Sequence, residues 1–150
     1  MKKIDLAYIA GIFDGEGYIS FVRRYRRVTL EGKRQSTDIP TTYYLRCGVT
    51  NTVKWLPEWL KFVFGGRVYQ QYKANPHQKD CYVWSTVSNQ ALAFLEIIMP
   101  YLKLKRAEAE LALRIRNHRK ANSQFPITAE EAAIRQAEYI LMKKLKEIRR

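Results

Sequence analysis

Residues Ile9–Gly17 read IAGIFDGEG, and the stretch that follows, Tyr18–Val28, reads YISFVRRYRRV. The first closes a helix and the second is a strand. Asp5 is a suitable N-cap for a helix running to about Gly15. Tyr18–Val28 is dense in aromatic and β-branched residues, as strands are. The helix carries Ala7, Gly11 and Gly15 at i, i+4 and i+8. A stripe of small residues lets a second helix approach closely. Glycine inside a helix costs about 0.5–1 kcal/mol relative to alanine, so two in one short helix require a reason. Asp14 and Glu16 stand at the negative end of the helix macrodipole, where carboxylates are disfavoured. A divalent cation at that end accounts for them, because Mg²⁺ is held by one or two carboxylates plus substrate phosphate oxygens. The bland alternative is an amphipathic helix ended by Gly15 and Gly17 with a solvated Glu16, and it leaves the stripe unexplained.

Outward from this stretch, Glu31–Asp38 reads as a polar loop and Pro40–Thr50 as a second strand. Val53–Phe64 is a helix with Pro57 in its first turn, stopped by Gly65 and Gly66. Arg67–Lys73 and Cys81–Val87 are strands around a turn at Ala74–Lys79. Ser88 or Asn89 caps a helix ending before Pro100, and Lys103–Arg119 is a helix with Leu104, Leu111 and Ile115 on one side. Asn117–Pro126 is the linker. Thr128 and Glu131 form a capping box for a last helix, with Ala133, Ala137, Ile140, Leu141, Leu145 and Ile148 along one face. The order α-β-β-α-β-β-α, plus further C-terminal helices, implies an α+β fold. Helices cover one face of a four-stranded antiparallel sheet, and the other face stays open.

Composition says what the open face meets. Of 150 residues, 27 are Lys or Arg and 14 are Asp or Glu, a formal net charge of +13. That implies a polyanionic partner, nucleic acid before an anionic membrane surface. The basic residues are not a tail: residues 1–99 hold 14 of them and residues 100–150 hold 13. No apolar run reaches the ~18 residues of a membrane span. Asp5, Asp14 and Glu16 interrupt any signal peptide, so a chain that is not secreted is expected. Cys47 and Cys81 read as buried free thiols, and with two histidines there is no zinc-finger spacing.

Alternation assigns the faces. Ile19, Phe21 and Tyr25 turn to the helices, as do Tyr43, Leu45, Cys47, Val49, Val68 and Tyr72. Arg23 shares their parity and is expected where helix cover has run out. Ser20, Val22, Arg24, Arg26, Thr42, Tyr44, Arg46, Arg67, Tyr69, Gln71 and Lys73 turn outward with Tyr18 and Gly48. The fourth strand has large residues of both parities, so its faces stay open. The outward set supplies the donors, acceptors and cations that read base edges and neutralise phosphates. Trp55, Trp59, Phe62 and Phe64 read as core, and Lys143–Arg150 as a solvated helix face.

IAGIFDGEG resembles the motif of the LAGLIDADG homing endonucleases, in a variant with Glu in the last acidic place. The element order is similar to that family's core, and Pro100–Arg106 (PYLKLKR) is similar to its segment leading to an active-site cation. The resemblance covers about residues 5–118 of a single domain spanning 1–150; the helix at about 128–148 lies beyond it. One motif occurs, and single-motif members are homodimers. The resemblance implies a saddle-shaped sheet and a metal-dependent endonuclease that cuts both strands of duplex DNA. The target is a long pseudo-palindromic site cut with 3′ overhangs, in intron homing. It implies Glu16 and the Gly15 carbonyl as metal ligands, with Mg²⁺ the cofactor and Mn²⁺ or Ca²⁺ able to occupy the site. Asn51 would orient the attacking water and Lys105 would stand near the scissile phosphate. Lys54 is the candidate for a further basic residue, in a stretch shorter than the family's. Ala7, Gly11, Asp14 and Gly15 would form the dimer interface. The expected setting is a prokaryotic cytoplasm or an organelle. The alternatives are an RNA maturase or a non-cleaving DNA-binding regulator of the same fold, and a structural RNA-binding protein. The intact Glu16 favours cleavage.

Overall fold

A computed structural model of the chain describes residues 1–30, 33–72, 75, 77–118 and 128–149, with side chains outside the description at 24–42 and 116–118. The elements are α1 (Lys3–Glu16), β1 (Gly17–Leu30), β2 (Lys33–Asn51), α2 (Trp55–Phe64), β3 (Arg67–Gln70), β4 (Tyr82–Val87) and α3 (Ser88–Ile98). A 3₁₀ turn (Met99–Tyr101), α4 (Arg106–His118) and α5 (Ala129–Arg149) complete the chain. The strands form one antiparallel sheet in the order β1-β2-β4-β3. The α+β architecture and element order expected from the sequence are present.

The core lies between the helices and one face of the sheet. Ile9, Ala10 and Phe13 of α1 are buried with Ile19, Phe21, Leu45, Cys47 and Val49 of β1 and β2. Register settles the fourth strand. Cys47 pairs with Thr86 and Val49 with Trp84, so Thr86 and Trp84 face the helices. Val83, Ser85 and Val87 therefore take the open face. The Trp84 ring meets Phe94 edge-on at 4.8 Å, and its indole N–H donates to the Gly65 carbonyl at 2.8 Å. Burying the indole without that bond would cost stability. Gly65 and Gly66 end α2 with φ of +72° and +86°. A Cβ on Gly66 would lie 2.6 Å from the Ser85 carbonyl oxygen, so this turn needs glycine.

Several local expectations are corrected. Asp5 is not the N-cap: α1 starts at Lys3, and the Asp5 carboxylate accepts the Lys2 backbone N–H at 3.1 Å from within the first turn. The polar segment from Lys33 to Asp38 is strand, because β1 continues opposite it to the Leu30–Lys33 pair. The register shifts on either side of Tyr25, which marks a bulge in this ribbon. Conversely β3 stops at Gln70, so Tyr72 is 93% exposed rather than inward. Residues 103–105 are not helical, and Leu104 is exposed. Trp55 and Phe62 project from the outer side of α2, while Trp59 and Phe64 pack against the core. On α5 the buried face is Tyr139, Met142 and Leu145; Ile140, Leu141 and Ile148 are exposed. Arg23 has the predicted core-side parity, but α5 reaches it, with its guanidinium 4.6 Å from the Tyr139 ring centre. Cys47 is buried and Cys81 half-buried, both free. Most of the expected linker, residues 119–126, lies outside the described residues. Among the described residues no helix is long and apolar enough to cross a membrane.

Candidate functional site

Two neighbouring regions carry the polar side chains of interest: the end of α1, and the open face of the sheet.

At the end of α1 the two acids part company. Asp14 is buried. Its Oδ2 accepts the backbone N–H groups of Lys103 at 2.7 Å and Leu104 at 3.1 Å, and its Oδ1 accepts that of Lys105 at 2.9 Å. Asp14 therefore shapes the approach to α4 and is turned away from the exposed small-residue face, where the sequence had grouped it. Glu16 is exposed, and no described residue bonds its carboxylate. Ala7, Gly11 and Gly15 are exposed, with Ile4 and Tyr8 beside them. A Cβ built on Gly11 or Gly15 meets nothing within 4 Å. Among the described residues nothing packs on Gly11 or Gly15.

Lys105 is buried to 3% exposure, and its ammonium donates to the Asp14 carbonyl at the end of α1. A cation there suits the negative end of the helix. Burial pushes its pKa down, and the positive charge of Arg149 pushes the same way; Asp14, Glu108 and Glu16 oppose both. The Glu16 charge is thus felt at Lys105. Asn51 lies two residues beyond the Gly17–Val49 pair, at the same end of the sheet. Its side-chain oxygen accepts the Val53 N–H at 2.8 Å, closing the turn into α2 and leaving the amide N–H₂ as its donor. Lys54 is exposed and lies 5.7 Å from the Tyr82 ring centre.

The open face has a fixed centre. Arg46 Nε donates to Ser85 Oγ at 3.0 Å, and a terminal guanidinium nitrogen donates to the Tyr69 hydroxyl at 2.6 Å. The same guanidinium stands 5.8 Å from the Tyr18 ring centre. Tyr18 lies across Gly48, its pairing partner; a Cβ there would be 2.5 Å from the Tyr18 hydroxyl and 2.6 Å from the Trp84 carbonyl. Burial raises the Tyr18 pKa, so the phenol stays neutral. Ser20, Val22 and Tyr44 are half-buried on this face, and Arg67 and Gln71 are exposed beyond it. A cavity of about 860 Å³ opens among Arg46, Arg67, Tyr69, Ser85 and Gln90. The side chains of Arg24, Arg26 and Thr42, and all of Lys73, lie outside the described residues.

No protein-family model matches the sequence, and no curated protein does. The three-dimensional comparison is decisive. The archaeal intron-encoded homing endonuclease I-Vdi141I, complexed with DNA, is similar with a TM-score of 0.70 at 15% identity, over 97% of this chain and 86% of that one. The homing endonuclease I-CvuI, in complex with its target, is similar with a TM-score of 0.59 at 22% identity, over 96% of this chain and 91% of that one. The chain has the LAGLIDADG homing endonuclease fold. A third protein with this fold, the LAGLIDADG homing endonuclease I-GzeII in complex with a DNA target, is matched with a TM-score of 0.52 at 20% identity. There 92% of this chain covers 43% of the other, so this chain spans less than half of that one.

Within the LAGLIDADG fold, Glu16, Gly15 and Lys105 converge on one helix end, and Asn51 lies at the same sheet end. Sequence reading missed three residues. Ser85 was hidden by the ambiguous parity of β4. Glu108 and Arg149 form an ion pair of 3.0 Å beside Lys105, and no local pattern marks it. Tyr18 was legible as outward, and the bare Gly48 opposite it was the signal that its ring is fixed.

Proposed function

We propose that the chain is a site-specific DNA endonuclease of the homing type, dependent on a divalent metal and active as a homodimer. The observation that carries this reading is half an active site. One exposed carboxylate, Glu16, and one buried ammonium, Lys105, share a helix end beside a bare stripe of small residues. Among the described residues no three His, Cys, Asp or Glu side chains form a metal cluster. One carboxylate and the Gly15 carbonyl are hard oxygen donors suited to Mg²⁺, with Mn²⁺ or Ca²⁺ as substitutes, but they are too few for a site without a second copy. Packing of two α1 helices along Ala7, Gly11 and Gly15 brings a second Glu16 to the dyad. The span of less than half of I-GzeII supports two copies doing the work of one longer chain.

The cation, when bound, supplies Lewis-acid activation of the scissile phosphate. The Lys105 ammonium offsets charge that develops on that phosphate. The Asn51 amide orients a water. The open face binds the duplex: the Arg46, Tyr69 and Ser85 cluster and Arg67 meet the major groove, and the long β1–β2 ribbon follows it. Two-fold symmetry requires a pseudo-palindromic target, and the net charge of +13 predicts affinity that falls steeply with salt. Cleavage leaves 3′ overhangs and serves intron homing, in a prokaryotic cytoplasm or an organelle.

The test is cleavage of a pool of long duplexes with Mg²⁺ or with EDTA, by the wild type and Glu16→Gln. Double-strand cuts at one site, lost in EDTA and in the variant while binding persists, are expected. Retained cleavage by Glu16→Gln sinks the metal assignment. Binding without cuts in any divalent metal would make the chain a regulator, and preference for intron RNA a maturase.

A further inference from the structure

Behind Lys105 lies a charge pair to which the proposed reaction assigns no part. Glu108 is 2% exposed, three residues after Lys105 at the start of α4. A carboxylate so buried requires a partner. Among the described residues that partner is Arg149, whose Nε stands 3.0 Å from Glu108 Oε1. Arg149 is the last residue of α5, 41 positions along the chain from Glu108 (149 less 108), and its side chain is one-third exposed. The charged groups facing Lys105 are Asp14 and Glu16 from α1, Glu108 from α4 and Arg149 from α5. Lys105 thus has two anionic claims on it. One is the end of α1, where its ammonium is found on the Asp14 carbonyl. The other is Glu108, which is already taken.

We propose that Arg149 is a positioning residue: by occupying the buried Glu108 carboxylate it keeps the Lys105 ammonium at the end of α1, where cleavage needs it. Without Arg149, Lys105 remains as a cation electrostatically coupled to that buried carboxylate. A neutralised Lys105–Glu108 pair would leave the scissile phosphate without its cation. The C-terminal helix thereby becomes part of the catalytic apparatus without touching the substrate. The inference rests on the endonuclease reading above, and its test separates the two.

The variants are Arg149→Gln, Arg149→Lys and the double variant Glu108→Gln/Arg149→Gln, in the full chain. Single-turnover cleavage and affinity are measured on the duplex that the wild type cuts. In parallel, the ¹³Cε resonance of Lys105 is followed against pH. Arg149→Gln is expected to slow cleavage about a hundredfold, the loss typical of one charge-stabilising donor. Affinity should stay within about threefold, which marks a loss confined to the transition state. The Lys105 titration should move to higher pH, because a positive neighbour has gone and a carboxylate has turned to it. Arg149→Lys should retain cleavage, and the double variant should recover it, since the competing carboxylate is absent. Unchanged cleavage by Arg149→Gln overturns the inference. So does a double variant as slow as the single one, or a loss of affinity equal to the loss of rate. If the wild type cuts no duplex, the endonuclease reading falls, and an unmoved Lys105 titration then overturns the positioning role on its own.

Discussion

Asp14 and Lys105 hold each other twice. The Lys105 backbone N–H donates to Asp14 Oδ1 at 2.9 Å, and the Lys105 ammonium donates to the Asp14 carbonyl. The carboxylate that sets the path of the chain before α4 thus belongs to the residue whose carbonyl receives the cation. The arrangement ties α1 to the approach to α4 across some 90 residues.

Asp14→Asn tests the structural half of this lock. The carboxylate faces three backbone N–H donors, and an amide N–H₂ in place of one oxygen opposes donor to donor. A buried donor left unsatisfied costs about 1–3 kcal/mol. Urea unfolding should show a loss of that size whether or not Mg²⁺ is present. A variant as stable as the wild type would mean that these three bonds contribute nothing net.

Lys105→Gln tests the functional half. Cleavage should fall about a hundredfold with affinity retained. The pH dependence has a definite sign. Burial holds the Lys105 pKa below its ordinary 10.5, so the ammonium is lost, and cleavage with it, at a lower pH than an ordinary lysine would give. For stability the sign is the reverse of the usual lysine pair. Between the folded and unfolded values the unfolded chain binds more protons, so this group's contribution to stability rises with pH across that window. The pH–rate profile and the pH dependence of unfolding read the two separately.

Gly11→Leu addresses assembly. The open space beside Gly11 means that a side chain there strains nothing within one protomer. Replacing a helical glycine should leave the protomer no less stable, and contributes up to about 1 kcal/mol in its favour. Light scattering should nevertheless show half the wild-type mass, because the side chain wedges the two α1 helices apart. An unchanged mass would remove the stripe from the interface.

The two thiols should differ in reactivity. Burial drives the Cys47 pKa far above the normal range, and its side chain is inaccessible. The nucleophile is the thiolate, so Cys47 should resist iodoacetamide in the folded protein. Cys81 is half-buried and should be labelled first. Mass spectrometry of the native and the urea-unfolded chain checks the order, and Cys47 modified as fast as Cys81 would contradict the packing around β2.

The element order, the sheet and its open face were legible because each rests on a local period. Ile19 and Phe21 alternate with Ser20 and Val22, and the Leu45, Cys47 and Val49 parity follows the same rule. Reading failed where a partner comes from elsewhere. Polar residues 33–38 look like a loop until β1 is laid beside them. Residues 103–105 look helical until the Asp14 carboxylate takes their N–H groups. On α5 the inward face is Tyr139, Met142 and Leu145, since contact with β1 and β2 selects among apolar positions that periodicity leaves equivalent.

From its residue order alone the chain was committed to two β-hairpins, covering helices, a bare helical stripe and a strongly basic surface. These follow from spacing and composition, which act over a few residues or over the whole chain at once. The interior of the site was decided in three dimensions. Asp14 turned inward and Glu16 outward, Arg46 was fixed by Ser85 and Tyr69, and Glu108 was given Arg149. The physical reason is that a buried charge takes whichever opposite group packing brings within reach, and that group is chosen only when α1, α4 and α5 meet.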